Sequence, residues 1–119
     1  MSTLETVTGS CHCGNVRFTT TVDLTSTISC NCSICRKSGM ILTFVPATAF
    51  SLETDPDALT DYQFNKRVIH HLFCRTCGVR AFGRGTAQDG SEMVAINVRC
   101  LDGVDLDTLT PHSVDGASA

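Results

Sequence analysis

The placement of cysteine constrains this chain more than any other feature. Eight of its 119 residues are cysteine, and they stand as Cys11-His12-Cys13, Cys30-Asn31-Cys32-Ser33-Ile34-Cys35, Cys74-Arg75-Thr76-Cys77 and a lone Cys100. Thiols one or two residues apart are poorly placed for structural disulfides, whereas C-x-C and C-x-x-C let successive thiolates point at one ion from a tight turn. The start of the chain, Met1-Ser2-Thr3-Leu4-Glu5, has no basic region followed by an apolar run. The most apolar stretch, residues 40–50, is too short to span a bilayer and contains Pro46. A cytoplasmic protein without membrane contact is expected, and the reducing conditions there favour metal binding or catalysis over a disulfide framework.

A structural zinc takes four ligands in a tetrahedron, and the simplest way to assemble one joins the two pairs, Cys11 and Cys13 with Cys74 and Cys77. Gly14 follows Cys13 and Gly78 follows Cys77, which suits a zinc knuckle that turns sharply just past its second ligand. Such a site would tie an N-terminal hairpin to the C-terminal half, and loss of the metal would cost much of the stability. Cys30, Cys32 and Cys35 remain. Three thiolates are the ligand count of a catalytic zinc that keeps one position open. They leave the site net −1, a weak Lewis acid for ionising water but a good host for an exogenous thiol, which coordination deprotonates. The alternative is a second structural site, closed by Cys100, His12, His70 or His71. Cys100 ends a predicted strand, where a lone cysteine is commonly a small buried hydrophobe. His70 and His71 are adjacent in a predicted strand and so belong to opposite faces, one of them lining a pocket.

With 119 residues, 42% hydrophobic and 18% charged, the chain suits one globular domain over residues 1–119, small enough to gain from a metal staple. The secondary structure reads as all-β. Val16, Phe18, Thr20 and Val22 alternate with polar residues at the period of a half-buried strand. Further strands are expected over 25–30, 40–45 (stopped by Pro46), 47–52, 61–65, 68–73, 79–84 and 93–98. Helix is limited to a turn over residues 33–38, capped by Ser33, and another over 105–109. Residues 115–119 read as a frayed tail. Only 9 Lys and Arg, scattered through a chain of net charge −3, offer no footprint for nucleic acid.

Assembled, these residues resemble the glutathione-dependent formaldehyde-activating enzyme family, which includes centromere-protein-V-like domains. The resemblance rests on Gly9-Ser10-Cys11-His12-Cys13-Gly14-Asn15-Val16, on Cys30-Asn31-Cys32-Ser33-Ile34-Cys35-Arg36-Lys37 and on Phe73-Cys74-Arg75-Thr76-Cys77-Gly78. Asn97-Val98-Arg99-Cys100-Leu101-Asp102-Gly103 and residues 112–116 extend it along most of the chain. It implies the β-tent fold of small antiparallel sheets. It also implies the division of ligands that spacing suggested, with Cys11, Cys13, Cys74 and Cys77 structural and Cys30, Cys32 and Cys35 catalytic. Cys100 then matches a cysteine that is common in relatives without ligating zinc.

The activity implied is that of a carbon–sulfur lyase, S-(hydroxymethyl)glutathione synthase-like, in which glutathione and formaldehyde combine reversibly. Arg36 and Lys37, just past Cys35, are candidates to offset the site's charge and to pair with glutathione carboxylates. Asn97 and His71 are candidates to hydrogen-bond the substrate oxygen. Glu92, Asp102 and Asp105 read as surface charges, so no general base is assigned among the carboxylates. The alternative function is a noncatalytic, zinc-stapled binding module with two structural sites.

Overall fold

The computed structural model describes residues 4–64, 69–87 and 89–118; Asn65 and Val68, at the ends of two expected strands, and Ala119 in the expected tail lie outside them. The first strand, β1 (Leu4–Ser10), pairs antiparallel with β2 (Arg17–Asp23), and β2 pairs with β5 (Phe50–Leu52) to complete a three-stranded sheet. The second sheet has seven strands. It runs β10 (His112–Val114), β3 (Ile28–Cys30), β4 (Leu42–Pro46), β9 (Glu92–Asn97), β8 (Phe82–Thr86), β7 (His70–Cys74) and β6 (Leu59–Tyr62). The one α-helix among the described residues, α1 (Ser33–Ser38), and several 3-10 turns make up the helical content, so the all-β expectation holds.

Period-two burial decides which face of each strand meets the core. In β2, Phe18, Thr20 and Val22 are buried and their neighbours are not, as the alternation predicts. Opposite them lie Val45 of β4, Val94 and Ile96 of β9, and Phe82 of β8, with Val98 and Leu101 beyond β9. Phe18, Phe50 and Phe82 join the two sheets, with ring centroids 5.4, 6.0 and 4.6 Å apart. Among the described residues no helix is long and apolar enough to cross a membrane.

Differences from the sequence expectations have local causes. The strand expected from residue 25 shortens to β3 because Asp23 draws residues 25 and 26 into a turn, its Oδ1 accepting from the Thr25 N–H at 2.9 Å. The strand expected from 47 begins with a 3-10 turn, Ala47–Ala49, after Pro46, and the chain then leaves one sheet for the other. Residues 79–81 stay outside β8 because the carbonyls of Val79, Arg80 and Ala81 accept from the Cys74 N–H, the Asn97 side chain and the Asn97 N–H. β1 completes the expected N-terminal hairpin although it is mostly exposed and lacks apolar alternation, and β10, of only three residues, was not anticipated. Nor is the second sheet wholly antiparallel. β10 lies parallel to β3, an arrangement that needs a long connection and has one in the intervening chain.

Two further corrections bear on the site. The N-cap of α1 is Cys32, with no side-chain capping bond, so Ser33 is not the cap. Residues 115–117 are not frayed: Asn31 Nδ2 donates to Asp115 Oδ1 at 3.0 Å, and the Ala117 N–H donates to Asn31 Oδ1 at 3.0 Å.

Candidate metal centre

Cys11 and Cys13 sit in the β1–β2 loop, Cys74 ends β7, and Cys77 lies in the β7–β8 loop. Gly14 and Gly78 follow with φ of 83° and 81°, the left-handed conformation that each knuckle requires. The four sulfurs lie within 4.8 Å of one another, with Cys13 3.6 Å from both Cys11 and Cys74. A tetrahedron of thiolates about 2.3 Å from zinc has edges of roughly 3.8 Å, so the quartet fits such an ion. Backbone N–H groups aim at these sulfurs: Val16 at Cys11 (3.3 Å), and Thr76 and Cys77 at Cys74 (3.3 and 3.4 Å). The N–H groups of Val79 and Cys13 bring the Cys77 thiol down to about 6. For Cys13 the Asn15 N–H acts in the same direction, but burial and the Cys74, Cys11 and Cys77 sulfurs outweigh it and push the thiol up to about 11. Four thiols this close cannot all ionise without a cation among them.

The triplet is built locally. Cys30 ends β3, Cys32 caps α1, and Cys35 lies one turn on, so the i, i+3 relation brings Cys32 and Cys35 to one side of the helix. All three sulfurs lie within 4.8 Å of one another, and among the described residues no further His, Cys, Asp or Glu joins either group. Burial pushes the Cys35 thiol up to about 12, with Cys32 and Cys30 adding to the effect. Burial also opposes ionisation of Cys32, but N–H and S–H donors from Cys35, Cys30 and Ile34 overcome it and hold that thiol below its ordinary value. This donor set likewise suits a soft cation that would replace the remaining protons. Gly116 covers it: a Cβ built there would sit 2.6 Å from Cys30 Sγ.

Two cavities that differ in polarity meet at Cys30 and Cys35. The first, of about 640 Å³, is the more polar of the two, with Asn31, Arg36, Arg99, Ser113 and Asp115 among its walls. The second, of about 250 Å³, is largely apolar and is lined by Met40, Phe44, Ile69, His71 and Ala95, with Arg80 at its side.

The structure thus brings Arg36 and His71 to cavities that touch the triplet. Lys37 faces another hollow, beside Tyr62 and Phe64. His71 stacks on Phe64, and its pKa is lowered by burial first and by the Arg80 charge second. His70 turns to the other face and meets Asp61 at 2.6 Å. Asn97 is not brought to the triplet. Its Nδ2 donates to the Arg80 carbonyl at 2.7 Å and its Oδ1 accepts from the Arg99 N–H at 3.1 Å, so the amide is occupied in positioning backbone. Cys100 points at the Arg80 carbonyl, 3.7 Å away, and burial pushes its thiol up to about 11, with Cys11 and Cys77 as the neighbouring charges. Asp105 caps a 3-10 turn, Asp102 accepts from the Thr8 hydroxyl, and Glu92 lies 3.9 Å from Arg84.

Sequence reasoning missed Arg80, Arg99 and the clasp of Asn31 on residues 115–117. Arg80 carries a buried Nη1 without a partner among the described residues, and its guanidinium lies over Tyr62 (5.8 Å) and Phe73 (5.4 Å). Arg99 Nε donates to the Gly39 carbonyl, which brings that charge to the polar cavity. A cation two or three residues past a cysteine pair or a strand end is a visible signal, but the cavity it faces is set by contacts distant in sequence.

A crystal structure of a Rhodobacter sphaeroides protein is similar to this chain, with a TM-score of 0.79 at 30% identity, covering 89% of this chain and 97% of that one. The glutathione-dependent formaldehyde-activating enzyme family matches residues 6–114, a span that holds both cysteine groups and nearly the whole fold. On that match, and on cysteines gathered into a quartet and a triplet, the chain belongs to the glutathione-dependent formaldehyde-activating enzyme family.

Proposed function

We propose that this chain is one cytoplasmic zinc-binding domain that catalyses the reversible addition of a small thiol, glutathione, to an aldehyde, as an S-(hydroxymethyl)glutathione synthase-like carbon–sulfur lyase. The observation that carries this reading is the three-cysteine group at the meeting point of a polar and an apolar cavity. Cys11, Cys13, Cys74 and Cys77 would hold a structural zinc, and Cys30, Cys32 and Cys35 a catalytic one. When bound there, zinc supplies the charge that favours the thiolate form of an incoming thiol.

The chain's own residues do the rest. Arg36 and Arg99 put two cations on the polar cavity, where the carboxylates of glutathione would pair with them and fix its direction. On the other side, Arg80 lends its positive charge to the cavity wall near the aldehyde oxygen, and neutral His71 can accept a proton. In the forward direction the thiol sulfur bonds to the carbonyl carbon, the carbon–oxygen π pair moves to oxygen, and the thiol's proton ends on that oxygen. In reverse the hydroxyl proton returns to sulfur, the carbon–sulfur bond breaks, and thiol and aldehyde separate. Holding both reactants oriented supplies the rate gain.

The test compares the zinc-loaded protein with Cys32→Ala for metal content and for the rate of glutathione–formaldehyde adduct formation. The variant should retain one zinc of two and lose catalysis. Equal rates in the two proteins would leave a metal-stapled binding module as the better reading.

A further inference from the structure

The apolar cavity is not an accident of loops, because strand register builds it. Residues directly opposite in paired strands share a face, and Phe44 pairs with Ala95, Ala95 with Gly83, and Gly83 with His71. This row crosses β4, β9, β8 and β7 on the face turned away from the core, since Val45, Val94, Ile96 and Phe82 of the same strands are buried on the other. Its middle members are the two smallest side chains available. Ala95 and Gly83 form a shallow floor, with Phe44 at one end and His71 at the other. Cys30, Cys35 and Met40 close the trough at the triplet, while Phe44 and Ile69, 51% and 49% exposed, stand at its sides.

The size is informative. The carbon and oxygen of formaldehyde occupy little more than one water's share of liquid volume, ~30 Å³, whereas an apolar cavity of ~150 Å³ accepts a benzene ring. This one measures about 250 Å³ and continues past Phe44, Ile69, Gly83 and Ala95 into a further apolar hollow of about 340 Å³. Formaldehyde would leave most of this apolar wall against water. A carbonyl compound with an aromatic or branched aliphatic group would cover it, at ~0.8 kcal/mol for each methylene buried.

We infer that the physiological electrophile is a hydrophobic aldehyde larger than formaldehyde, its apolar group seated on the Ala95–Gly83 floor while the thiol's charged arms lie toward Arg36 and Arg99. This rests on the thiol–aldehyde reading above and assigns its substrate class. The cavity that recognises the thiol and the cavity that recognises the aldehyde then lie on opposite sides of Cys30 and Cys35.

A binding experiment separates the two claims. S-benzylglutathione and S-methylglutathione are titrated calorimetrically into the zinc-loaded protein; they share the charged arms and differ only in the group that would enter the trough. The benzyl compound should bind at least tenfold more tightly. Ala95→Leu, which fills the floor from the side away from the core, should bring the affinity ratio close to one. Phe44→Ala, at an exposed wall position that the fold tolerates, should lower it severalfold. The same Ala95→Leu change should reduce kcat/KM for phenylacetaldehyde with glutathione by tenfold more than it does for formaldehyde. Equal affinities in the wild type, or a ratio that survives Ala95→Leu, would overturn the apolar assignment and leave the thiol-binding reading standing. If neither thioether nor glutathione itself binds, the thiol-binding reading fails and this inference fails with it.

Discussion

Replacing Gly116 by alanine should weaken the triplet's hold on its metal and leave the quartet's unchanged. The new Cβ would fall 2.6 Å from Cys30 Sγ and 3.2 Å from Cys32 Cβ, where ordinary contact is nearer ~3.5–4.0 Å. Something must therefore move by roughly 1 Å, and a bound metal tolerates ligand distances off by only about 0.2 Å. Either Cys30 Sγ gives way, or residues 115–117 lift and break the hydrogen bonds that Asn31 makes to Asp115 and Ala117. Losing such an outer support costs about 10–100-fold in metal affinity. The assay is competition for zinc with a chromophoric chelator, which resolves a tight and a weakened class of sites. Two classes are expected in the variant, whereas Cys32→Ala should show the tight class alone. Two zincs held with unaltered affinity would refute the claim that the C-terminal turn supports the triplet.

Chelation of the wild-type protein should do much more than abolish activity. The quartet joins loops 61 residues apart in sequence, between Cys13 and Cys74, and at ~4–8 °C per kcal/mol its loss should lower Tm by roughly 15 °C or more, read by circular dichroism; an unchanged melt would deny it a structural role. Arg36→Ala should raise KM for glutathione about tenfold with little change in kcat, the signature of a lost charge-assisted hydrogen bond, and an unaltered KM would remove Arg36 from the thiol site. His71 is held neutral by burial and by Arg80, so its folded pKa lies below the unfolded value of about 6.5. The unfolded chain then binds more protons as pH falls through 6.5, so stability declines in that direction; His71→Gln should flatten a urea-denaturation profile below pH 6.5, and an unchanged slope would place the acid sensitivity elsewhere. Gly9→Ala would drive its Cβ into the Phe18 ring and should destabilise by about 1–3 kcal/mol in denaturant, with the triplet's metal affinity preserved; a neutral effect would show that the contact relaxes freely.

How much was legible follows the range of the interactions. The strand around Phe18, the turn over residues 33–38 and the separation of cysteines into four and three depend on spacing within a few residues, and the sequence displays each of them. The backbone bond of Asn97 was not legible, because a polar residue at a strand end serves equally well as a ligand contact or as a backbone cap, and only the position of the Arg80 carbonyl shows the second. The hollow that Lys37 lines was hidden for a related reason: closeness to Cys35 fixes its distance along the helix but not the side to which α1 turns it.

By itself, the sequence determined the two cysteine groups that could hold a metal. Paired thiols with a glycine just after them, and three thiols within six residues, can each present sulfurs to one ion wherever they fold, because that geometry is local. Tertiary structure alone decided what surrounds that chemistry. The trough exists because register sets Phe44, Ala95, Gly83 and His71 opposite one another on four strands, and a slip of one residue would turn that row into the core. The cover over Cys30 exists because a three-residue strand near the C-terminus runs parallel to β3 and delivers Gly116 to the triplet. Pairings between segments so distant leave no periodic trace in either one, so the partners of the cysteines had to be found in space.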